Sequence, residues 1–192
     1  MNYSKLSKII LIGASTGGPG LIEQIVTAFY KSVPIEGIII IAQHMQPFYL
    51  QSFAKRLQRV TDINVCFVTQ TTKIKQNTIY ILEDSSFLTS KTDGIYLEKE
   101  LQKQTYYHPS IDELFSSATQ LSLDINAYLL SGIGDDGALG LLALKKKNHR
   151  TIAQDEQTSI VYGMPRAAFE KGAVNEVLSI NDIIKKIQKE LQ

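Results

Sequence analysis

The strongest constraint in this chain is an alternation of short aliphatic runs with longer stretches of helical spacing. Ile9-Ile10-Leu11-Ile12 and the run over 37–42, which holds Ile38-Ile39-Ile40-Ile41-Ala42, carry no polar side chain. Strands this apolar are buried on both faces, as happens in a parallel sheet covered by helices on either side. The sequence supplies the covers. A helix is expected over about 20–30. A second opens at Pro47 and carries Phe48, Leu50, Phe53 and Leu57 on one face. The run over 63–68 reads as a third strand. Repeated strand–helix–strand units imply parallel pairing with right-handed crossovers.

The middle of the chain has another rhythm. Three short runs over 78–82, 86–89 and 94–97 are closely spaced, and Asp93-Gly94 is a hairpin-type turn signal. A small antiparallel elaboration is expected there. The α/β pattern then resumes. A helix opens at Pro109-Ser110, a strand covers 125–130, and a helix covers 137–147. Short strands follow near 151–153 and 174–177, and a last amphipathic helix starts near Asn181. With 192 residues and no linker or internal repeat, the expectation is one domain over 1–192. Its class is α/β: a doubly wound, mostly parallel, Rossmann-like three-layer sheet with an antiparallel hairpin elaboration.

Composition excludes several partners. Twenty basic and 19 acidic residues give a net charge of +1, without the basic face of a nucleic-acid binder. The one basic cluster, Lys145 to Arg150, ends an expected helix, where cations complement the helix dipole. The lone Cys66 lies in a strand and reads as packing in a reducing compartment. The N-terminus lacks signal-peptide architecture, and the longest apolar run is far too short to cross a bilayer. A cytoplasmic location without membrane insertion is the expectation.

In open parallel sheets, sites form at the carboxyl ends of strands. Three such ends carry chemistry. Gly13-Ala14-Ser15-Thr16-Gly17-Gly18-Pro19-Gly20 follows the first strand, Gln43-His44-Met45 the second, and Ser131-Gly132-Ile133-Gly134-Asp135-Asp136-Gly137 a later one. A serine hydroxyl needs a base to become a nucleophile, an imidazole suits that task near neutral pH, and a carboxylate fixes the imidazole's tautomer. Each residue has a plainer reading. Ser15 fits a helix N-cap or phosphate loop, His44 a satisfied strand-end histidine, and Asp136 a cap for the helix beginning at Gly137. Their joint placement favours a serine hydrolase with Ser15 as nucleophile.

Rival readings fail on particular residues. The dinucleotide fingerprint needs glycine at Ser15 and an acid where Gln43-His44 stands. The short-chain dehydrogenase pattern finds Pro19 in its third glycine position and Arg166 where its site lysine belongs after Tyr162. No Gly-Lys-Ser/Thr follows for a phosphate loop. An ordinary α/β-hydrolase elbow comes after several strands, and its histidine would have to be His149, at a basic helix end. His44, His108 and His149 show no zinc spacing, so no metal or other cofactor is expected.

Taken together, the three loops resemble the catalytic domain of the chemotaxis protein-glutamate methylesterase (CheB) family. Pro109-Ser110-Ile111-Asp112-Glu113-Leu114-Phe115, Thr151-Ile152-Ala153-Gln154-Asp155-Glu156 and Val161-Tyr162-Gly163-Met164-Pro165-Arg166-Ala167 extend the resemblance over nearly the whole chain. It implies hydrolysis of γ-glutamyl methyl esters on the cytoplasmic helices of chemoreceptors, giving glutamate and methanol, and often deamidation of receptor glutamines. It implies Ser15 as nucleophile, His44 as base and Asp136 as carboxylate. Backbone N–H groups near Thr16 and Ile133 would form the oxyanion hole, with Gly134, Met45, Tyr107 and His108 around the pocket. Ile133 stands where the family usually has methionine, and Tyr107 where it has a pocket histidine. Glu83-Asp84 replace a usual Pro-Gly. The chain begins almost at the catalytic strand, so the expectation is a catalytic domain without the family's receiver domain, regulated in trans or constitutive. The competing expectation is a catalytically degenerate receptor-binding module of the same fold; a nucleotide-binding oxidoreductase is a weaker third.

Overall fold

A computed structural model describes residues 8–30, 34–99 and 106–192. Seven parallel strands form the central sheet: β1 (Lys8–Ala14), β2 (Ile38–Gln43), β3 (Asn64–Val68), β5 (Thr78–Leu82), β8 (Asp124–Leu129), β9 (Arg150–Gln154) and β10 (Glu176–Leu178). Their spatial order is β10-β9-β8-β1-β2-β5-β3. Side chains alternate across a strand, so one run of aliphatics feeds two cores. Ile9 and Leu11 of β1 face one layer; Ile10 and Ile12 face the other. The first layer packs against α3 (Ile111–Ala118), α4 (Ala138–Lys146) and α5 (Met164–Glu170). The second packs against α1 (Gly18–Thr27), α2 (Pro47–Gln58) and α6 (Ile180–Leu191). The doubly wound three-layer expectation is met.

The middle region needs one correction. Thr78–Leu82 does not join the antiparallel elaboration; it is β5, inserted in parallel between β2 and β3. Every residue of β5 is buried. A run this rich in Ile, Tyr and Leu is best satisfied by two covered faces, which a small surface sheet lacks. The antiparallel sheet instead uses β4 (Thr72–Lys73), β6 (Ser86–Lys91) and β7 (Gly94–Lys99), in the order β4-β7-β6. Asp93-Gly94 turns β6 into β7 as expected. Helix α5 lies in a segment read above only as a motif.

One cap and one tether fix the helices that matter below. The Ser110 side chain accepts from Glu113 N at 3.3 Å, opening α3 just beyond Pro109. Lys145, in the last turn of α4, donates to the carbonyls of Gly172 and Val174 at 2.9 and 2.7 Å. Part of the basic cluster thus tethers the chain leaving α5. Among the described residues, no helix is long and apolar enough to cross a membrane.

β1 sits at the topological switch point: the chain winds one way from β1 through β2 and the other way from β8 through β9. The loops at the carboxyl ends of β1, β2 and β8 therefore converge.

Candidate active site

Strand register brings the first two groups together. Ala14 pairs with Gln43, so Ser15 and His44 are the next residues out on neighbouring strands. His44 N donates to Ala14 O at 2.9 Å, extending the ladder by one step. On the other flank, Ser15 N donates to Ser131 O at 3.0 Å. The loop leaving β8 is thereby drawn alongside Ser15. A Cβ on Gly132 would lie 2.7 Å from the Ser15 Cβ and 2.1 Å from the Met164 sulfur, so this close approach needs glycine.

Asp136 is 3% exposed and fully engaged. Its Oδ2 accepts from His44 Nε2 and Ile111 N, each at 2.8 Å. Its Oδ1 accepts from Asp112 N at 2.9 Å and Gly137 N at 3.0 Å. Two of these donors are the first N–H groups of α3, which carry the positive end of the helix dipole. The carboxylate does cap a helix, but α3 rather than α4. The α4 cap residue is Gly137, with no side-chain bond.

His44 is held on its face as well as its edge. The Tyr107 ring stacks on the imidazole with centroids 5.0 Å apart and planes 3° off parallel. The Tyr107 hydroxyl reaches the backbone N–H of Asp135, and burial is the main cause that raises its pKa. Gly134 makes room at φ +90, since a Cβ there would lie 2.4 Å from the hydroxyl oxygen. Because Oδ2 already accepts from Ile111 N, it acts as an acceptor toward His44 too. In the neutral imidazole, Nε2 is therefore the nitrogen that carries hydrogen and Nδ1 the one with the lone pair.

Ser15 is not a cap. The α1 cap residue is Gly17, at φ +85, and no side chain caps that helix. Among the described residues, Ser15 Oγ and the backbone N–H groups of Thr16 and Ile133 take no hydrogen bond. Ser131, buried, ties the loops around them. Its hydroxyl donates to Thr16 O at 2.7 Å and accepts from Val161 N at 2.9 Å.

The remaining expected pocket residues divide. Thr16, Ile133 and Gly134 are exposed in the loops that follow β1 and β8, and Met45 is half-buried next to His44 in sequence. His108 Nδ1 lies 2.9 Å from Asp84 Oδ1, at the end of β5. His149 follows α4 at the opposite end of the sheet, so it cannot serve this site. No group of three or more His, Cys, Asp or Glu among the described residues is arranged to hold a metal ion. Gln43, Ser131 and Gln154, whose Oε1 accepts from Ser131 N at 2.9 Å, carried no expected role. A polar side chain ending an otherwise apolar strand was the available signal for Gln43.

A buried carboxylate orienting an imidazole beside a serine in a glycine-rich turn is competent for acyl transfer. The comparisons agree with that chemistry. The family model described as CheB methylesterase matches residues 10–187. A protein-glutamate methylesterase/protein-glutamine glutaminase 1 of Carboxydothermus hydrogenoformans is 34% identical over 186 residues, covering 94% of this chain and 54% of that protein. A protein-glutamate methylesterase/protein-glutamine glutaminase of Sulfurimonas denitrificans is 35% identical over 185 residues, covering 94% and 52%. The chain spans about half the length of these curated relatives. The crystal structure of the Thermotoga maritima CheB methylesterase catalytic domain superposes with a TM-score of 0.84 at 29% identity, covering 94% of this chain and 96% of that one. The chain belongs to the CheB methylesterase family.

Proposed function

We propose that this protein is a protein-glutamate methylesterase acting on the cytoplasmic helices of chemoreceptors, with deamidation of receptor glutamines as a second reaction of the same site. The observation that carries the reading is the 2.8 Å bond from His44 Nε2 to Asp136 Oδ2, one register step from Ser15. It leaves Nδ1 as the base.

Nδ1 takes the Ser15 proton as Oγ attacks the ester carbonyl. The carbonyl oxygen becomes an oxyanion, and the N–H groups of Thr16 and Ile133, free among the described residues, are the donors that meet it. The tetrahedral species collapses, the proton passes from Nδ1 to the departing methoxide, and methanol leaves. Water, deprotonated by Nδ1, attacks the acyl-enzyme. Glutamate leaves as the proton returns to Ser15. With glutamine as substrate the leaving group is ammonia. Around the mouth, Tyr106, Phe48, Ile160 and Ile133 are 91%, 75%, 69% and 62% exposed, an apolar rim suited to a protein substrate.

The test is methanol release from methylated receptor in vitro. Release by the wild type and its loss in Ser15→Ala support the reading. Near-normal release by Ser15→Ala overturns it, and receptor binding with no turnover by the wild type points to a degenerate binding module.

A further inference from the structure

Gln43 has no part in the chemistry above, yet it is 1% exposed at the centre of the site. Its Nε2 donates to Ser15 O at 2.9 Å and to His44 O at 3.0 Å. One amide thus grips the main chain of both nucleophile and base. The flipped amide would set Oε1 against two carbonyl oxygens, so this orientation is the only one that bonds. It leaves Oε1 buried without a hydrogen-bond partner among the described residues. A buried orphan acceptor costs stability, so its retention asks for a functional reason. Gly18 leaves the room required: a Cβ there would lie 2.2 Å from Oε1.

The reason lies in peptide geometry. In a planar trans peptide, C=O and N–H point in opposite directions. Ser15 O is drawn inward by two donors, Gln43 Nε2 and Gly18 N, the latter at 2.9 Å. The other end of that peptide is Thr16 N–H, which is forced outward, toward the mouth. Hydrogen bonds accepted by the carbonyl also polarise the unit and strengthen its N–H as a donor. The second oxyanion donor is built in the same way. Gly132 O accepts from Gly163 N at 3.1 Å and Met164 N at 2.9 Å, which turns Ile133 N–H outward. A Cβ on Gly163 would sit 2.6 Å from Gly132 O, so the grip requires glycine.

We infer that Gln43 is a positioning residue for the oxyanion hole, acting through the Ser15–Thr16 peptide, as Gly163 and Met164 act through the Gly132–Ile133 peptide. The inference rests on the methylesterase reading of Ser15, His44 and Asp136. It makes Gln43 important to kcat rather than to substrate binding, because an oxyanion exists only beyond the ground state.

The decisive variant is Gln43→Met, close in shape but without donors. Turnover of methylated receptor should fall by about 10- to 100-fold in kcat, with KM within about threefold. A phenylboronic acid supplies a second readout: Ser15 Oγ bonds to boron, its proton passes to His44, and a tetrahedral anion fills the hole. In ¹H–¹⁵N spectra of the wild type, the Thr16 and Ile133 amide protons should both move downfield on adduct formation. In Gln43→Met the Thr16 shift should shrink while that of Ile133 persists; Gly163→Ala should give the reverse. Should either variant fold poorly, the wild-type Gln43 side-chain amide protons decide: slow exchange and a shift on adduct formation are expected. Wild-type kcat in folded Gln43→Met, an unchanged Thr16 shift, or a Gln43 amide indifferent to the adduct overturns the inference. Full turnover by Ser15→Ala removes the reading beneath it, whereas silent Ser15→Ala with normal Gln43→Met removes this inference alone.

Discussion

Around Asp136, four donors at 2.8–3.0 Å converge on one carboxylate. Around Ser15, by contrast, the backbone is held by Ser131 O and Gln43 Nε2, while Oγ and the next N–H stay free among the described residues. The two sides of the site therefore satisfy different demands. A buried charge must be surrounded by donors before any substrate arrives, or it destabilises the fold. The proposed nucleophile and oxyanion hole must keep bonding capacity for a transition state that does not yet exist. Structure and reactivity are thus separable by mutation here.

The largest effect tests that separation directly. Ser15→Ala should lower turnover by about 10⁴-fold or more. Its thermal midpoint should match the wild type, since no hydrogen bond is lost; a clear drop in midpoint would show that Ser15 Oγ also supports the fold. Asp136→Asn should cost activity and stability together. Turnover should fall by about 10³- to 10⁴-fold through the wrong imidazole tautomer. Unfolding free energy should fall by about 1–3 kcal/mol, because one amide oxygen cannot receive four donors. Denaturant melts beside the methanol assay check both. Asp135→Asn, at an exposed position, should leave both within about twofold of wild type; an Asp135 effect as large as that of Asp136 would move the carboxylate assignment.

Tyr107 joins the two sides, through its ring on His44 and its hydroxyl on the Asp135 backbone. Tyr107→Phe keeps the stack and should stay near wild type. Tyr107→Ala should lose about three- to tenfold in kcat, the scale of one aromatic pair. Equal losses in the two variants would shift the weight to the hydroxyl.

The smallest effect concerns Asp112, beside Asp136. Burial chiefly, with the Asp136 charge, raises its carboxyl above the usual value, against a hydrogen bond from Gly140 N. The folded state then holds this proton more tightly than the unfolded chain. Stability contributed by the group is complete below the unfolded pKa and is lost as pH rises through the folded value. Asp112→Asn keeps an acceptor for Gly140 N and removes that slope. Its melting temperature should equal the wild type in acid and exceed it by a few degrees at neutral pH. A variant less stable at neutral pH would show that the charge itself helps hold α4.

Much of this was legible before any coordinates. The runs at Ile9 and Ile38 announced strands covered on both faces, because no polar side chain interrupts them. The three strand-end loops announced that Ser15, His44 and Asp136 would gather at one end of the sheet. What escaped was of one kind. Thr78–Leu82 is as buried as β1, but its neighbours Asp93-Gly94 and Gly94–Lys99 pulled it toward a hairpin reading, and local turn chemistry does not say which strand pairs with which. His108 adjoins Pro109 much as a pocket residue would, yet its ring reaches Asp84, a partner 24 residues away. Gln43 stood in its loop without an expected role, because one of its two acceptors, Ser15 O, lies 28 residues upstream.

By itself, the sequence determined the period of burial, the parallel sheet, and which residue types stand at the strand ends, since these follow from local patterning and strand order. Tertiary structure alone decided which ring nitrogen of His44 faces Asp136, that α3 supplies two of the donors holding that carboxylate, and that Gln43 and Gly163 bond the carbonyls of the Ser15–Thr16 and Gly132–Ile133 peptides. Those depend on hydrogen-bond directions between segments far apart in the chain, and direction is fixed only when register and packing bring the segments together.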